Sequence, residues 1–426
     1  MTRAAAEESP IGSALPKPRV TLAFLALTAV AAYLAFIRLP GTEDMTVFWI
    51  RWSELVAKHG LREGYRQAFT DYPPGVFLIF KIANATLAPL SQFVLVKGMI
   101  VSAVAAGTVV YAAWTRSLGW TVGLLFALLL SSAILAYIDV LYLAPLFASL
   151  WALQIRRLIF ASFFFSMAIM LKWQPIIIAP FFIAHAIGFS LEGARSYRAW
   201  LPLLFRLGAG AAAPIALCLL LVEPAMLWRA FTLATSHPAL SLQGLNANWL
   251  IELYLYAEQG GKHVYDVKAS AALSGTMRAL FYFSYVLVFA IFAIRRRSFG
   301  EFVWFGCVAF LAYFLLNIGV HENHLFVPMV LGFALVGARH PHRATVICFL
   351  AVIANLNLLI FYGLEGTMLL KGSNMLFASG ICAAINTLFG AFCLYGLGRS
   401  ALPDLRHALG QLRNRTSPHA APPLPL

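Results

Sequence analysis

A small set of polar residues interrupts an otherwise apolar chain: Asp44, Asp71, Asp139, Lys172, Gln174, Asn246, Asn248, Glu252, His321 and Glu322. Carboxylates can take a proton from a hydroxyl, and lysine, glutamine or histidine can hold an anion such as a phosphate. Each also has an ordinary structural use. Asp44 can cap a helix or complement its dipole, and Glu322 can do the same at a later helix start. Asp71, just before Pro73-Pro74, can be a turn residue. Lys172 can snorkel from a helix end. Which use applies depends on where the surrounding elements put these side chains.

Those elements must be membrane helices. Of 426 residues, 61% are hydrophobic and 11% charged, against about a quarter charged in a typical soluble domain. An ordinary soluble protein is excluded. The five cysteines, Cys218, Cys307, Cys348, Cys382 and Cys393, lie in apolar runs without a CxxC pair, so a disulfide framework or zinc site is not expected. A span needs roughly 20 apolar residues. The candidate stretches are 20–38, 75–90, 94–114, 119–135, 139–154, 158–171, 174–190, 200–222, 273–294, 301–318, 321–338, 343–362 and 374–397. The run 20–38 is too long for a signal peptide and lacks a cleavage site, so it is expected to remain as the first span.

Basic clusters set the orientation. Arg116, Arg156-Arg157, Arg195 with Arg198, Arg295 to Arg297, Arg339 with Arg343, and the run from Arg399 to Arg415 alternate with the spans. The positive-inside rule places them in the cytoplasm. Alternation fails only at 75–90, a short stretch that opens after Pro73-Pro74 and contains Lys81, so it is expected to lie in the outer interface. The expectation is an all-α, polytopic helix bundle of about twelve spans with both termini cytoplasmic. Residues 1–19 form one tail, 20–397 a single membrane domain, and 398–426 a basic, Pro-rich tail without regular structure. The net charge of +14 then falls almost wholly inside. It is an orientation signal, and no nucleic-acid partner is expected. The polar residues named above all fall on the outer side, where two segments, 39–93 and 223–272, are long, and ionisable groups at a membrane boundary are costly enough to mark a site.

The first outer loop reads Asp44-Met45-Thr46-Val47-Phe48-Trp49-Ile50-Arg51-Trp52, then Asp71-Tyr72-Pro73-Pro74-Gly75. Positions 45, 48, 49, 52 and 55 form an apolar face at helical spacing, expected to anchor an interfacial helix. This loop resembles that of GT-C glycosyltransferases, nearest to bacterial proteins related to the second mannosyltransferase of GPI-anchor synthesis. Asp139 resembles an acidic position of the family, although Tyr137 stands where a Gln is usual. Lys172-Trp173-Gln174 is similar to a Lys-x-Gln segment. Asn246-Ala247-Asn248-Trp249 is similar to a slightly longer Asn-rich stretch. His321-Glu322 matches a His-Glu pair, followed here by Asn323 and His324 instead of a basic residue. The matches run from about residue 42 to 330.

The resemblance implies a membrane enzyme that takes a sugar, mannose by analogy, from a polyprenyl-phosphate carrier and passes it to a glycan, lipid or protein acceptor. The reaction would occur on the outer face of a bacterial inner membrane. It implies Asp44 as catalytic base, with Asp71, Tyr72, Asp139, Lys172, Gln174, Asn246, Asn248, His321 and Glu322 around the substrates. No cofactor is expected. Glu43-Asp44 could hold a divalent ion, but the nearest kin are metal-independent, and His321-Glu322-Asn323-His324 lacks zinc-protease spacing, so no metal is expected. The competing expectation is a transporter or lipid-linked-sugar flippase, which twelve spans would suit. Against it stand the absence of related halves and the boundary position of the ionisable groups. A polysaccharide polymerase would rely on external arginines, and loop 223–272 offers only Arg229, Lys262 and Lys268.

Overall fold

The computed structural model describes residues 41–188, 197–236, 239–261, 263–294, 298–340, 343–362 and 370–416. The expected first span, 20–38, and the tail 1–19 lie outside the described residues, as do 417–426. Apart from one two-residue strand pair and short turns, the described chain is helical.

The segment expected as the first outer loop forms α1 (Ile50–Ala68), preceded by a π-turn at Met45–Trp49, and α2 (Gly75–Thr86). Then follow α3 (Gln92–Thr115), α4 (Leu118–Leu128), α5 (Leu143–Gln154), α6 (Leu158–Leu171), α7 (Ala179–Ile187) and α8 (Tyr197–Leu221). The segment expected as the second outer loop contributes α9 (Pro224–Thr235), β1 (Ser241–Leu242) and α10 (Ala247–Gln259). The chain continues through α11 (Ala271–Ile294), α12 (Phe299–Leu316), β2 (Val320–His321), α13 (Phe326–Gly337), α14 (Ala344–Tyr362) and α15 (Gly372–Thr416). Each apolar stretch from residue 94 onward is thus helical over most of its described residues. Among the described residues, six helices are long and apolar enough to cross a membrane by length and composition: α3, α8, α11, α12, α14 and α15. Phe205 and Leu220 on α8, Phe283 and Val286 on α11, and Phe377, Leu388 and Phe392 on α15 are all exposed. So large an apolar surface suits lipid and would be a liability in water. The helices have the character of a multi-pass membrane protein.

The end of the chain departs from expectation. α15 runs through Pro403 to Thr416, where an irregular tail was expected after residue 397. Arg399 and Arg406 are good helix formers, and that propensity carries the helix beyond its apolar part.

Two interruptions shape the site. α4 passes into a π-turn at Leu129–Ile134, and the chain leaves it through Ala136, whose φ of 61° lies in the left-handed region. A 3-10 turn at Ile138–Tyr142 then leads into α5. The carbonyls freed by this break are taken from outside: Lys97 Nζ donates to Ala133 O (2.9 Å) and Ile134 O (2.8 Å), and Thr42 N donates to Leu135 O (2.9 Å). The second interruption separates α6 from α7. Lys172 is extended, and Pro175 opens a 3-10 turn at Gln174–Ile178, because a proline cannot supply the N–H that would continue α6.

β1 and β2 pair in parallel, Ser241 against Val320 and Leu242 against His321. This clip fastens the 223–272 loop beside the His321-Glu322 segment.

Candidate functional site

Asp44 stands at the start of the π-turn that leads into α1. Its backbone is already helical and its side chain makes no capping bond. Among the described residues it makes no hydrogen bond or ion pair, so the simple cap is not its use. Burial pushes its carboxyl up to about 6; nearby Lys172 opposes this, while Asp139, Glu43 and Asp71 add to it. An unbonded carboxylate with such a pKa can accept a proton near neutral pH.

Beside it lies a closed polar knot. Lys172 Nζ and Asp139 Oδ1 form an ion pair at 2.8 Å, with side chains 8% and 4% exposed. Tyr72 donates to the same Asp139 oxygen at 3.2 Å and accepts from Lys172 Nζ. The phenol stays protonated, since burial first, and then the charges of Asp139, Asp71 and Asp44, raise its pKa well above the ordinary value. Three segments distant in sequence therefore meet at one point.

Local chemistry explains why they meet. Trp49, Trp52 and Tyr72 pack edge to face, with ring centroids 5.0 to 5.5 Å apart. Tyr65 holds the Tyr72 carbonyl from behind (2.9 Å). Gly75 is required by close approach: a Cβ there would stand 2.3 Å from Met170 O at the end of α6. Without that approach the Asp71-Tyr72 turn would not reach Lys172. Trp173 adds a bond from its indole N–H to Asp71 O (2.8 Å), leaving the Asp71 carboxylate itself without a hydrogen bond among the described residues. Two tryptophans differ from expectation. Trp49 and Trp52 are buried and do not anchor to lipid, because their rings fill the space under Tyr72.

A second cluster follows from β2. Tyr137 donates to Glu322 Oε1 (2.7 Å), and His321 Nδ1 lies 3.9 Å from Glu322 Oε2. The His321 side chain is 42% exposed and Glu322 only 4%, so the histidine is the member that a ligand can meet. The two clusters are joined electrostatically, since Glu322 interacts with both Asp44 and Asp139. Gln174 is within 2.9 Å of His324 Nε2, and His324 Nδ1 faces the His321 N–H and the Tyr313 hydroxyl. With Nδ1 accepting, Nε2 carries the proton. The Gln174 amide oxygen, otherwise without a partner, then belongs toward the ring. Gln174 is thus held by His324.

Asn246 and Asn248 are placed differently. Asn246 caps α10 by accepting from Trp249 N (3.0 Å) and donates to Phe314 O (2.6 Å). Asn248 donates to Asn317 O (2.7 Å) and Leu316 O (3.3 Å). Both are fully buried and satisfy carbonyls left open at the end of α12. Glu252 accepts from Ser241 N (2.8 Å), and burial raises its carboxyl to about 8 against the backbone bonds that favour its charge. The two asparagines tie the second loop to the end of α12, and Glu252 braces β1 within that loop.

Sequence reasoning passed over Lys97, the hold of His324 on Gln174 and the positive role of Tyr137. The signal for Lys97 was a lone lysine inside an apolar run, where a buried charge needs partners. Tyr137 was noted only as a departure from a family pattern. Between Asp139, Tyr137, Ser131, Asn323 and Asn355 lies a cavity of about 10 Å³, room for about one water. Among the described residues no cluster of three or more His, Cys, Asp or Glu side chains is disposed to hold a metal ion.

The fold and site together define a helical protein with membrane-spanning character and an acidic cluster at one set of helix ends. No protein-family model matches the chain, and no curated protein matches it.

Proposed function

We propose that this protein is a GT-C-type glycosyltransferase that moves a monosaccharide, mannose by resemblance, from a polyprenyl-phosphate carrier to an acceptor hydroxyl. The proposal has twelve spans, both termini cytoplasmic, and loops 39–93 and 223–272 on the outer face of a bacterial plasma membrane. The observation that carries it is the Asp44 carboxylate: unbonded, raised to about 6, and set beside the Asp139–Lys172–Tyr72 knot.

In this reading Asp44 takes the proton of the acceptor hydroxyl as its oxygen attacks the anomeric carbon. The bond from that carbon to the phosphate oxygen breaks, and its electron pair leaves with the carrier phosphate. His321, partly exposed, is suited to donate to that phosphate. Lys172 is already balanced by Asp139, so it acts on Asp44 and the leaving group as part of an oriented ion pair. Such preorganised charges need no reorganisation during reaction. Asp71 and Tyr72 border the acceptor side. The acceptor is a glycan, lipid or protein hydroxyl reached from the outer leaflet. By the same resemblance the reaction is metal-independent, and EDTA is expected to leave the rate unchanged.

The test uses purified protein in vesicles, offered a panel of polyprenyl-phosphate sugars with acceptor lipids and glycans. The expected result is consumption of one carrier-linked sugar with formation of a glycoside. Movement of a solute or carrier-linked sugar across the bilayer without product would replace the proposal with a transporter or flippase.

A further inference from the structure

A second feature of the outer loops is independent of the catalytic reading. α1 is broken at Gly60, whose φ of 76° lies in the left-handed region that only glycine adopts readily. Beyond the break the helix folds back, with Gly64 so close to Leu55 and Val56 that a Cβ would stand 2.9 Å from their backbone. The fold presents His59 and Arg62 toward Lys81 of α2 and the C-terminal end of α8. Between them lies an open groove of about 420 Å³, lined by His59, Arg62, Glu63 and Lys81 and by Leu220 and Leu221.

The groove is cationic and sits at a definite level. Glu63 is already engaged by Arg66 (2.7 Å) and Gln67 (2.6 Å), so its charge is balanced from outside. His59 and Lys81 make no hydrogen bond or ion pair among the described residues. Arg62 donates to Leu220 O (3.3 Å), one of the carbonyls left open where α8 ends. α8 has the length and composition of a span, and Leu220 is one of its exposed apolar side chains. Positive groups therefore stand where the apolar surface of a spanning helix stops, the level of lipid headgroups. A bound lipid could lay its chains along Leu220 and Leu221 while its phosphate meets Arg62 and Lys81.

We infer that this groove is a binding site for one anionic phospholipid of the surrounding bilayer. The phosphate is held by Arg62 and Lys81, with His59 at its edge, and the lipid braces the α1 hairpin against α8.

The experiment titrates full-length, detergent-purified protein with phosphatidylglycerol and counts bound lipid by native mass spectrometry. Phosphatidylcholine, a polyprenyl phosphate and glycerol phosphate are run in parallel. Wild type is expected to retain phosphatidylglycerol in preference to phosphatidylcholine and glycerol phosphate, while polyprenyl phosphate is expected to bind apart from the groove, unaffected by its variants. The double variant Arg62→Gln/Lys81→Gln should bind phosphatidylglycerol about thirtyfold more weakly, from the loss of two basic groups at a membrane surface. Arg62→Lys/Lys81→Arg should retain it, which separates lost charge from misfolding, and Lys268→Gln, a basic residue outside the groove, should change little. Unchanged affinity in the Gln double variant would overturn the inference. So would equal loss in Lys268→Gln, tighter binding of glycerol phosphate than of phosphatidylglycerol, or a larger loss of polyprenyl phosphate than of phosphatidylglycerol in the Gln double variant.

Discussion

The two long loops, 39–93 and 223–272, contain similar residues and use them in opposite ways. In the second loop Asn246, Asn248 and Glu252 all bond to backbone groups, and two of those bonds close the end of α12. In the first loop Asp44 and Asp71 have carboxylates that bond to nothing among the described residues, and the knot beside them is closed on itself. A polar residue with its partners already chosen is scaffold. One held in a semi-buried place without partners is available to a substrate. The difference is not in residue type but in whether the surrounding backbone has open groups to be satisfied.

The sharpest way to break this comparison is at Lys172. Lys172→Met should destabilise the fold by about 3–5 kcal/mol, the usual effect of stranding one member of a buried ion pair. Lys172→Met/Asp139→Leu should recover part of that loss. Thermal melting of the two variants checks this, and a double variant worse than the single would show that the knot is not an isolated pair.

Asn246→Ala comes next. It removes a helix cap, at a cost of about 1 kcal/mol, and leaves the buried Phe314 carbonyl open, at about 1–3 kcal/mol. The melting midpoint should fall, while the KM for donor in the remaining folded protein stays near wild type. A selective rise in KM would move Asn246 from scaffold to substrate contact.

The pH profile distinguishes the loops more finely. Asp44 must be ionised to act as a base, so kcat/KM should fall about tenfold per unit of pH below about 6 and level off above it. The stability effect has the opposite sign. Because the folded-state value is raised above the ordinary 3.8, the native state binds the proton more tightly, and stability should rise as pH falls from about 6 toward 4. Asp44→Asn should lack that rise. An acid limb that persists in Asp44→Asn, measured on its residual rate, would assign the titration to another group.

Much of this could be read from the chain. Hydropathy and the alternation of arginines located the helices, and the split at Lys172 was visible because a basic residue and Pro175 interrupt one apolar run. Asp44, Asp71, Asp139 and Lys172 were legible as ionisable residues at helix ends with few other charges nearby. The rest was hidden for physical reasons. An asparagine that caps a helix and one that faces a sugar look alike in sequence, because the difference is a carbonyl some 70 residues away. Trp49 and Trp52 look like membrane anchors until the return of Tyr72 encloses them. Lys97 is legible as an anomaly, but its role depends on the π-turn at Leu129–Ile134, which no local pattern announces.

The central claim is that Asp44 accepts the proton in a sugar transfer on the outer face. It is tested most directly by measuring transfer from the wild-type protein's preferred polyprenyl-phosphate sugar with Asp44→Asn in the same vesicles. The account predicts a rate lower by about 10²–10⁴, with melting at neutral pH no lower than that of wild type. Near-normal turnover by the folded variant would contradict it.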